Sequence, residues 1–374
     1  MSKTILLFDM DGVLLEPGGY HRALVETVRL TSEMLGYTAA ELTPADIAAF
    51  EAAGITSEWD SSAICLVWLM LPLWERFPSL GIPATLTDGL PPGESGLAPG
   101  WDSLFGMLNH SPSESVDPVL RAEQLLAAGH PRERAIRHIL RNSQSIGKSL
   151  THRIFQELVL GSSIFAETYS LPPCLDVESY LLQFDRPNLT PERREALLHW
   201  LADDQHRAAI FTNRPSRHGK WSTPEAEIGA RCVGLNTLPM VGYGDLLWLS
   251  DRSSLDVRKL RKPSPVHVLA ALMRSCGADT EAALQSAVNL AFDGHVGLEW
   301  DQFRGAEIYV FEDTRAGLKS AQAASEILRE CSLEISWHLI GISAMHVKQA
   351  VLRQLGADVY SSFEKALTSS LVRG

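Results

Sequence analysis

Ile5-Leu6-Leu7-Phe8-Asp9-Met10-Asp11-Gly12-Val13 is the stretch on which the fold turns. An apolar run that ends abruptly in Asp9 predicts a strand buried on both faces of a parallel sheet. Such a strand delivers its last side chain to the C-terminal edge of the sheet, where open α/β sheets bind ligands. Asp11 follows two positions later, and Gly12 lets the backbone turn sharply and approach a ligand closely. Two carboxylates at a strand-to-turn junction suit Mg²⁺, which takes oxygen ligands and keeps room for water and phosphate. A plainer reading stays open at this point: Asp is common in turns, and a strand end closed by an Asx-turn would look the same.

Working outward, 374 residues predict two domains or one domain with a large insertion. The composition, 45% hydrophobic and 21% charged, is that of an ordinary globular chain. A formal charge of −12 argues against a general nucleic-acid or anionic-membrane surface. The five cysteines (Cys65, Cys174, Cys232, Cys276, Cys331) are scattered, odd in number and form no C-x-x-C pair. They predict neither a disulfide framework nor a zinc site, and they fit a reducing, cytoplasmic location. The chain enters its first strand almost at once, so no signal peptide is expected. The longest apolar stretch, Ala63 to Trp74, is interrupted by Pro72 and falls short of the roughly 20 residues that span a bilayer.

After the first strand the pattern turns helical. Tyr20 to Gly36 carries Leu24, Val25, Val28 and Leu35 at helical spacing, with Gly36 as the stop. Thr43-Pro44-Ala45-Asp46 is a helix start with a capping-box carboxylate. Ser57 to Leu71 reads as an apolar helix, Pro72 to Pro118 as a long irregular excursion, and Pro118 to Phe165 as helical again. From Thr190 short apolar strands alternate with helices. Strands are expected at Ala208–Phe211, Met240-Val241, Ile308–Phe311 and His338–Ile342, with a last one near Gly356–Tyr360. Alternation of this kind predicts a doubly wound parallel sheet with helices on both faces. The expected domains are therefore an α/β core of residues 1–16 and 186–374 and a helical insertion of residues 17–185.

Four polar clusters then share one structural address, the C-terminal end of an apolar strand or the start of a neighbouring helix: Asp9/Asp11, Thr212/Asn213, Lys262 and Glu312/Asp313. Each has an ordinary reading alone. Thr212 could bond the local backbone, Lys262 could be a surface lysine, and Glu312-Asp313 could favour a helix N-terminus. Their order along the chain and their common edge argue for one site.

This order resembles the haloacid dehalogenase (HAD) superfamily of aspartate-nucleophile hydrolases. The resemblance rests on D-x-D-G-V at 9–13, the strand ending in Thr212-Asn213, K-P-x-P at 262–265, and the strand ending in Glu312-Asp313-Thr314-x-x-Gly317. It implies a Rossmann-like core with a helical cap inserted after the first strand, as in a phosphatase-like subfamily. It also implies Asp9 as nucleophile and Asp11 as general acid/base. Mg²⁺ would be held by Asp9, the carbonyl of Asp11 and Asp313, with Glu312 joining directly or through water. Thr212, Asn213 and Gly12 would meet the phosphoryl group, and Lys262 would balance the anionic cluster. An aspartate at position 11 points away from halide removal and ion pumping and toward phosphate esters of small metabolites. The Glu-Asp pair at 312–313 also occurs in sugar phosphomutases, which leaves a mutase as the second enzymatic alternative. A catalytically inactive phosphate-binding regulatory module is the non-enzymatic one.

Substrate choice is expected in the insertion. Gly54-Ile55-Thr56-Ser57-Glu58-Trp59-Asp60-Ser61-Ser62 combines a glycine turn, a helix start, acids and an aromatic face. Glu58 and Asp60 could meet hydroxyls or an amine and Trp59 a flat face; helix capping by Ser57 with Trp59 as packing is the equal alternative. Arg214 could reach a second anionic group or form an exposed salt bridge. His267 is expected to be packed or exposed rather than catalytic. The metabolite and the oligomeric state are left open by the sequence.

Overall fold

The computed structural model describes residues 3–38, 40–91, 93–109, 117–218 and 223–373. It divides into two units, Met1–Pro17 with Asp185–Gly374, and Gly18–Phe184. Strands β1 (Thr4–Phe8) and β2 (Leu15–Glu16) precede the inserted unit, which contains β3 (Tyr37–Thr38) and β4 (Gly96–Leu97). Strands β5 (Arg186–Pro187), β6 (His206–Phe211), β7 (Met240–Val241), β8 (Glu307–Glu312), β9 (Ser336–Ile342) and β10 (Asp358–Tyr360) follow it.

Six of these form one sheet in the order β10-β9-β8-β1-β6-β7, with every pairing parallel. β1 lies in the middle, Leu6 opposite Ala208 on one side and Tyr309 on the other. Its alternation explains why the stretch is apolar throughout. Ile5 and Leu7 join Ala209, Phe211, Ile308 and Val310 in one core, against the helices Val266–Ser275 and Thr280–Asp293. Leu6 and Phe8 join Ala208, Ile210, Tyr309 and Phe311 in the other, against Glu225–Val233 and Phe363–Arg373. With helices on both faces, neither side of the strand can be polar. Burying each large aliphatic side chain contributes about 1.5–3 kcal/mol. β2 pairs antiparallel with β5, Leu15 opposite Pro187 and Glu16 opposite Arg186.

Among the described residues, the regular elements of the inserted unit are helices apart from the short parallel β3–β4 pair. Its first helix, Gly18–Met34, packs on Glu58–Arg76, Leu150–Leu160 and Tyr180–Phe184. Thr43 caps Pro44–Ala52, with its side chain accepting from Asp46 N–H and Asp46 accepting in return. Buried Glu157 accepts from the backbone N–H groups of Cys174 and Leu175 and from the Ser162 hydroxyl, which ties down the return segment.

Two expectations are corrected. Pro72 does not end its helix, which runs through it to Arg76; burial of Leu69, Met70, Leu73 and Trp74 offsets the roughly 3 kcal/mol cost of an interior proline. The 72–118 stretch is not irregular throughout, since it contains β4 and the helix Trp101–Asn109, whose Leu104, Phe105 and Leu108 are buried. Part of that stretch, Pro92 and residues 110–116, lies outside the described residues. The helix after β6 begins at Glu225, with the Thr223 hydroxyl bonded to the Glu225 carboxylate. Helices Tyr243–Ser253 and Thr280–Asp293 had no anticipated counterpart. Among the described residues no helix is long and apolar enough to cross a membrane.

Candidate active site

The parallel register brings the ends of β1, β6 and β8 to one edge. Asp9 follows β1 and is 5% exposed, its N–H donating to the Phe311 carbonyl at 3.0 Å. Lys262, just before the helix Val266–Ser275, donates from Nζ to Asp9 Oδ1 at 2.6 Å and to Glu312 Oε1 at 2.5 Å. The ammonium also lies 4.1 Å over the Phe211 ring. Glu312 is fully buried, and its Oε2 accepts from the N–H groups of Asp313 and Thr314 and from the Thr314 hydroxyl at 2.8–2.9 Å. A Cβ at Gly317 would run into the Glu312 carboxylate, which accounts for that glycine.

Asp313 bonds Lys348 through Oδ2, while its Oδ1 is buried with no partner. Gly12 has φ +78°, and a Cβ there would strike the Asp313 carboxylate. Here the backbone turns through a conformation, and leaves a space, that only glycine provides. Thr212 is 1% exposed; its N–H donates to the Val241 carbonyl, and its hydroxyl accepts from Arg214 N–H at 3.1 Å. Asn213 is exposed at the loop surface. Asp11 is partly exposed and is held by the Arg214 guanidinium. His267 is buried, bonds the Val241 carbonyl through Nε2, and is driven down to about 3 by burial and by Lys262.

Electrostatics follow from three carboxylates and two ammoniums in a small volume. Burial, then Glu312, raise the Asp9 carboxyl well above its ordinary range despite the opposing pull of Lys262. Burial, then Glu312, raise Asp313 to about 6 against the pull of Lys348. Burial disfavours the Lys262 ammonium, but Asp9 and Glu312 outweigh it and hold the lysine charged. The cluster is thus short of positive charge. Ligand oxygens of Asp9, Glu312 and Asp313 lie within 4.8 Å of one another. An all-oxygen donor set with an orphaned buried carboxylate oxygen fits a hard divalent cation.

The candidate residues of the inserted unit make their own set of contacts. Ser57 does cap Glu58–Arg76, accepting from Asp60 N–H at 3.4 Å. Glu58 is the first residue of that helix. Asp60 is buried, with Oδ1 accepting from Ser143 Oγ at 2.5 Å and Oδ2 from Gln144 Nε2 at 3.2 Å. Burial raises its carboxyl, with Ser143 acting the other way. Trp59 donates from Nε1 to Gln156 Oε1 at 3.2 Å, and its ring lies 4.9 Å from that of His152. Both ring nitrogens of His152 are buried without a partner, and burial pushes the imidazole down to about 4.

Sequence reasoning did not find Lys348 or Asp185. Lys348 lies in the first turn of His346–Gln354, the helix after β9, and so has the same sheet-edge address as the four recognised clusters. That address was its available signal. Asp185 carried none, because its partner Arg214 is 29 positions away.

No family model and no curated protein matches the chain. Among solved structures, Northeast Structural Genomics Consortium target ZR25 aligns over 100% of both chains at 17% identity with a TM-score of 0.66. That similarity shows a shared fold. Phosphatase Tt82 from Thermococcus thioreducens aligns over 95% of this chain and 100% of its own at 14% identity, with a TM-score of 0.42. The chain is an α/β protein with a six-stranded parallel sheet flanked by helices.

Proposed function

We propose that this chain is a Mg²⁺-dependent phosphohydrolase of the haloacid dehalogenase type, acting on a small phosphorylated metabolite. The observation that carries the proposal is the Asp9–Lys262–Glu312–Asp313 cluster at the C-terminal edge of the central strand, short of positive charge and holding an orphaned carboxylate oxygen. Lys262 fixes one oxygen of Asp9 and so orients the other toward phosphorus. Attack by Asp9 forms an aspartyl-phosphate as the ester P–O bond breaks. Asp11 gives its proton to the departing oxygen, then takes one from the water that hydrolyses the intermediate, restoring Asp9 and releasing phosphate. Thr212 and the Asn213 N–H are assigned to the phosphoryl oxygens.

Mg²⁺ on Asp9, Asp313 and the Asp11 carbonyl, with Glu312 directly or through water, would supply the charge neutralisation that phosphoryl transfer demands. Glu312 already serves Lys262 and Thr314, which favours the water-mediated place for it. In this reading the inserted unit is the cap that selects the leaving group, with Glu58, Trp59 and Asp60 as its candidate contacts.

The test is a phosphate-release screen over phosphorylated sugars, amino alcohols, nucleotides and short acids, with and without Mg²⁺. Metal-dependent release that disappears in Asp9→Asn, with unchanged circular dichroism, is the expected result. Isomer accumulation without free phosphate would favour a mutase. Appreciable turnover by Asp9→Asn would overturn the nucleophile assignment.

A further inference from the structure

Arg214 follows Thr212 by two residues, and its side chain is only 1% exposed. Its Nε–H donates to Asp11 Oδ1 at 2.9 Å and to Oδ2 at 3.0 Å, and one terminal nitrogen donates to Oδ1 at 2.5 Å. The other terminal nitrogen donates to Asp185 Oδ2 at 2.8 Å, and the Asp185 side chain is also 1% exposed. The loop is pinned as well as the side chain. Arg214 N–H donates to Thr212 Oγ1, Tyr243 N–H donates to the Arg214 carbonyl at 2.9 Å, and Ala226 N–H donates to the Pro215 carbonyl at 2.8 Å. Gly229 makes the space: a Cβ there would sit 3.1 Å from the guanidinium and run into Met10 Sδ.

The guanidinium is engaged by two carboxylates of the protein itself, with which an anionic substrate group would have to compete. The planar fork instead fixes a carboxylate in direction as well as distance, which a point-charge lysine cannot do. Asp11 remains 35% exposed on its open side, where an ester oxygen can reach it.

We propose that Arg214 is a positioning residue that aims the Asp11 carboxyl at the leaving oxygen, with Asp185 as its buried anchor, rather than a receptor for substrate anion. The proposal rests on the hydrolase reading. Without the fork, Asp11 spreads over its rotamers and only a fraction of its population is placed for proton transfer. The loss then depends on how much the leaving group needs that proton.

The test compares kcat/KM for p-nitrophenyl phosphate, whose leaving group departs readily without a proton, with phenyl phosphate, which needs more help. Inhibition by inorganic phosphate is measured alongside. Arg214→Lys is expected to lower kcat/KM for phenyl phosphate by about 10- to 100-fold, a part of what a general acid supplies, and for p-nitrophenyl phosphate by much less. Phosphate inhibition should be unchanged. Asp185→Asn should give the same leaving-group-selective loss, smaller in size, and thermal melts check that both variants are folded. Equal losses on the two esters, or weaker phosphate inhibition, would overturn positioning in favour of anion binding. If Arg214→Lys does not fold, Asp185→Asn alone decides between these outcomes. A wild type that releases phosphate from no ester would instead sink the hydrolase reading, and this inference with it.

Discussion

Around Asp9, the sheet-bearing unit sets ions against ions: Lys262 between Asp9 and Glu312 and Arg214 on Asp185 are buried, while Lys348 on Asp313 and the Asp11 that Arg214 also holds are partly exposed. Around Trp59, the inserted unit buries polar groups without countercharge. There, Asp60 is met by a hydroxyl and an amide, and neutral His152 lies against an indole with neither nitrogen bonded. The difference separates two uses of buried polarity. Paired ions are costly to desolvate and keep a local field for another charged species. Neutral polar groups set shape and hydrogen-bond complementarity at lower cost.

The largest expected effect comes from breaking the ionic side. Lys262→Met leaves Asp9 and Glu312 buried without their ammonium and should cost on the order of 3–5 kcal/mol in urea unfolding. A loss below about 1 kcal/mol would show that the network is not held by that charge.

The neutral side should reveal itself through pH. His152 has a folded-state value of about 4, below its ordinary 6.5. The unfolded chain therefore binds the extra proton first. The stability from a neutral His152 is fully present above 6.5 and is lost as pH falls from 6.5 toward 4, by about 3 kcal/mol in all. Unfolding curves of the wild type and His152→Gln should converge across this window. Parallel profiles would show that the imidazole finds a proton-accepting partner.

Metal should distinguish the two regions next. At about 100 times its Kd, Mg²⁺ stabilises by about 2.7 kcal/mol, read as a thermal shift. The shift should vanish in Asp313→Asn and persist in Asp60→Asn. The smallest effect is that of Asp60→Asn on stability, below about 1 kcal/mol, because the amide oxygen still accepts from Ser143. A loss above about 3 kcal/mol would place Asp60 among the ionic anchors after all.

Much of the sheet unit was legible because its signals are local. A strand buried on both faces has to be apolar along its length, so β1, β6 and β8 show themselves together with the polar residues at their ends. Thr43 and Ser57 announced helix starts through their own hydrogen-bonding reach. The inserted unit was read less well. A proline-and-glycine composition suggested an excursion, whereas distant packing carried one helix through Pro72 and formed another at Trp101–Asn109. In the site, Asp9, Asp11, Thr212, Lys262 and Glu312-Asp313 could be picked out by address. Lys348 shared that address and was overlooked, Asp185 had no such signal, and Arg214 was seen without its partners.

The sequence by itself determined where strands end, which helices are capped, and that acids, a hydroxyl and a lysine stand at those ends. Each depends on residues within a few positions of one another, where side-chain periodicity and backbone capping act. Only the tertiary structure decided that β1 lies between β6 and β8, that Lys262 bridges Asp9 and Glu312, and that Arg214 joins Asp11 to Asp185. These pairings span up to 253 positions and are set by sheet register and by which charges share a buried volume. No local propensity encodes either.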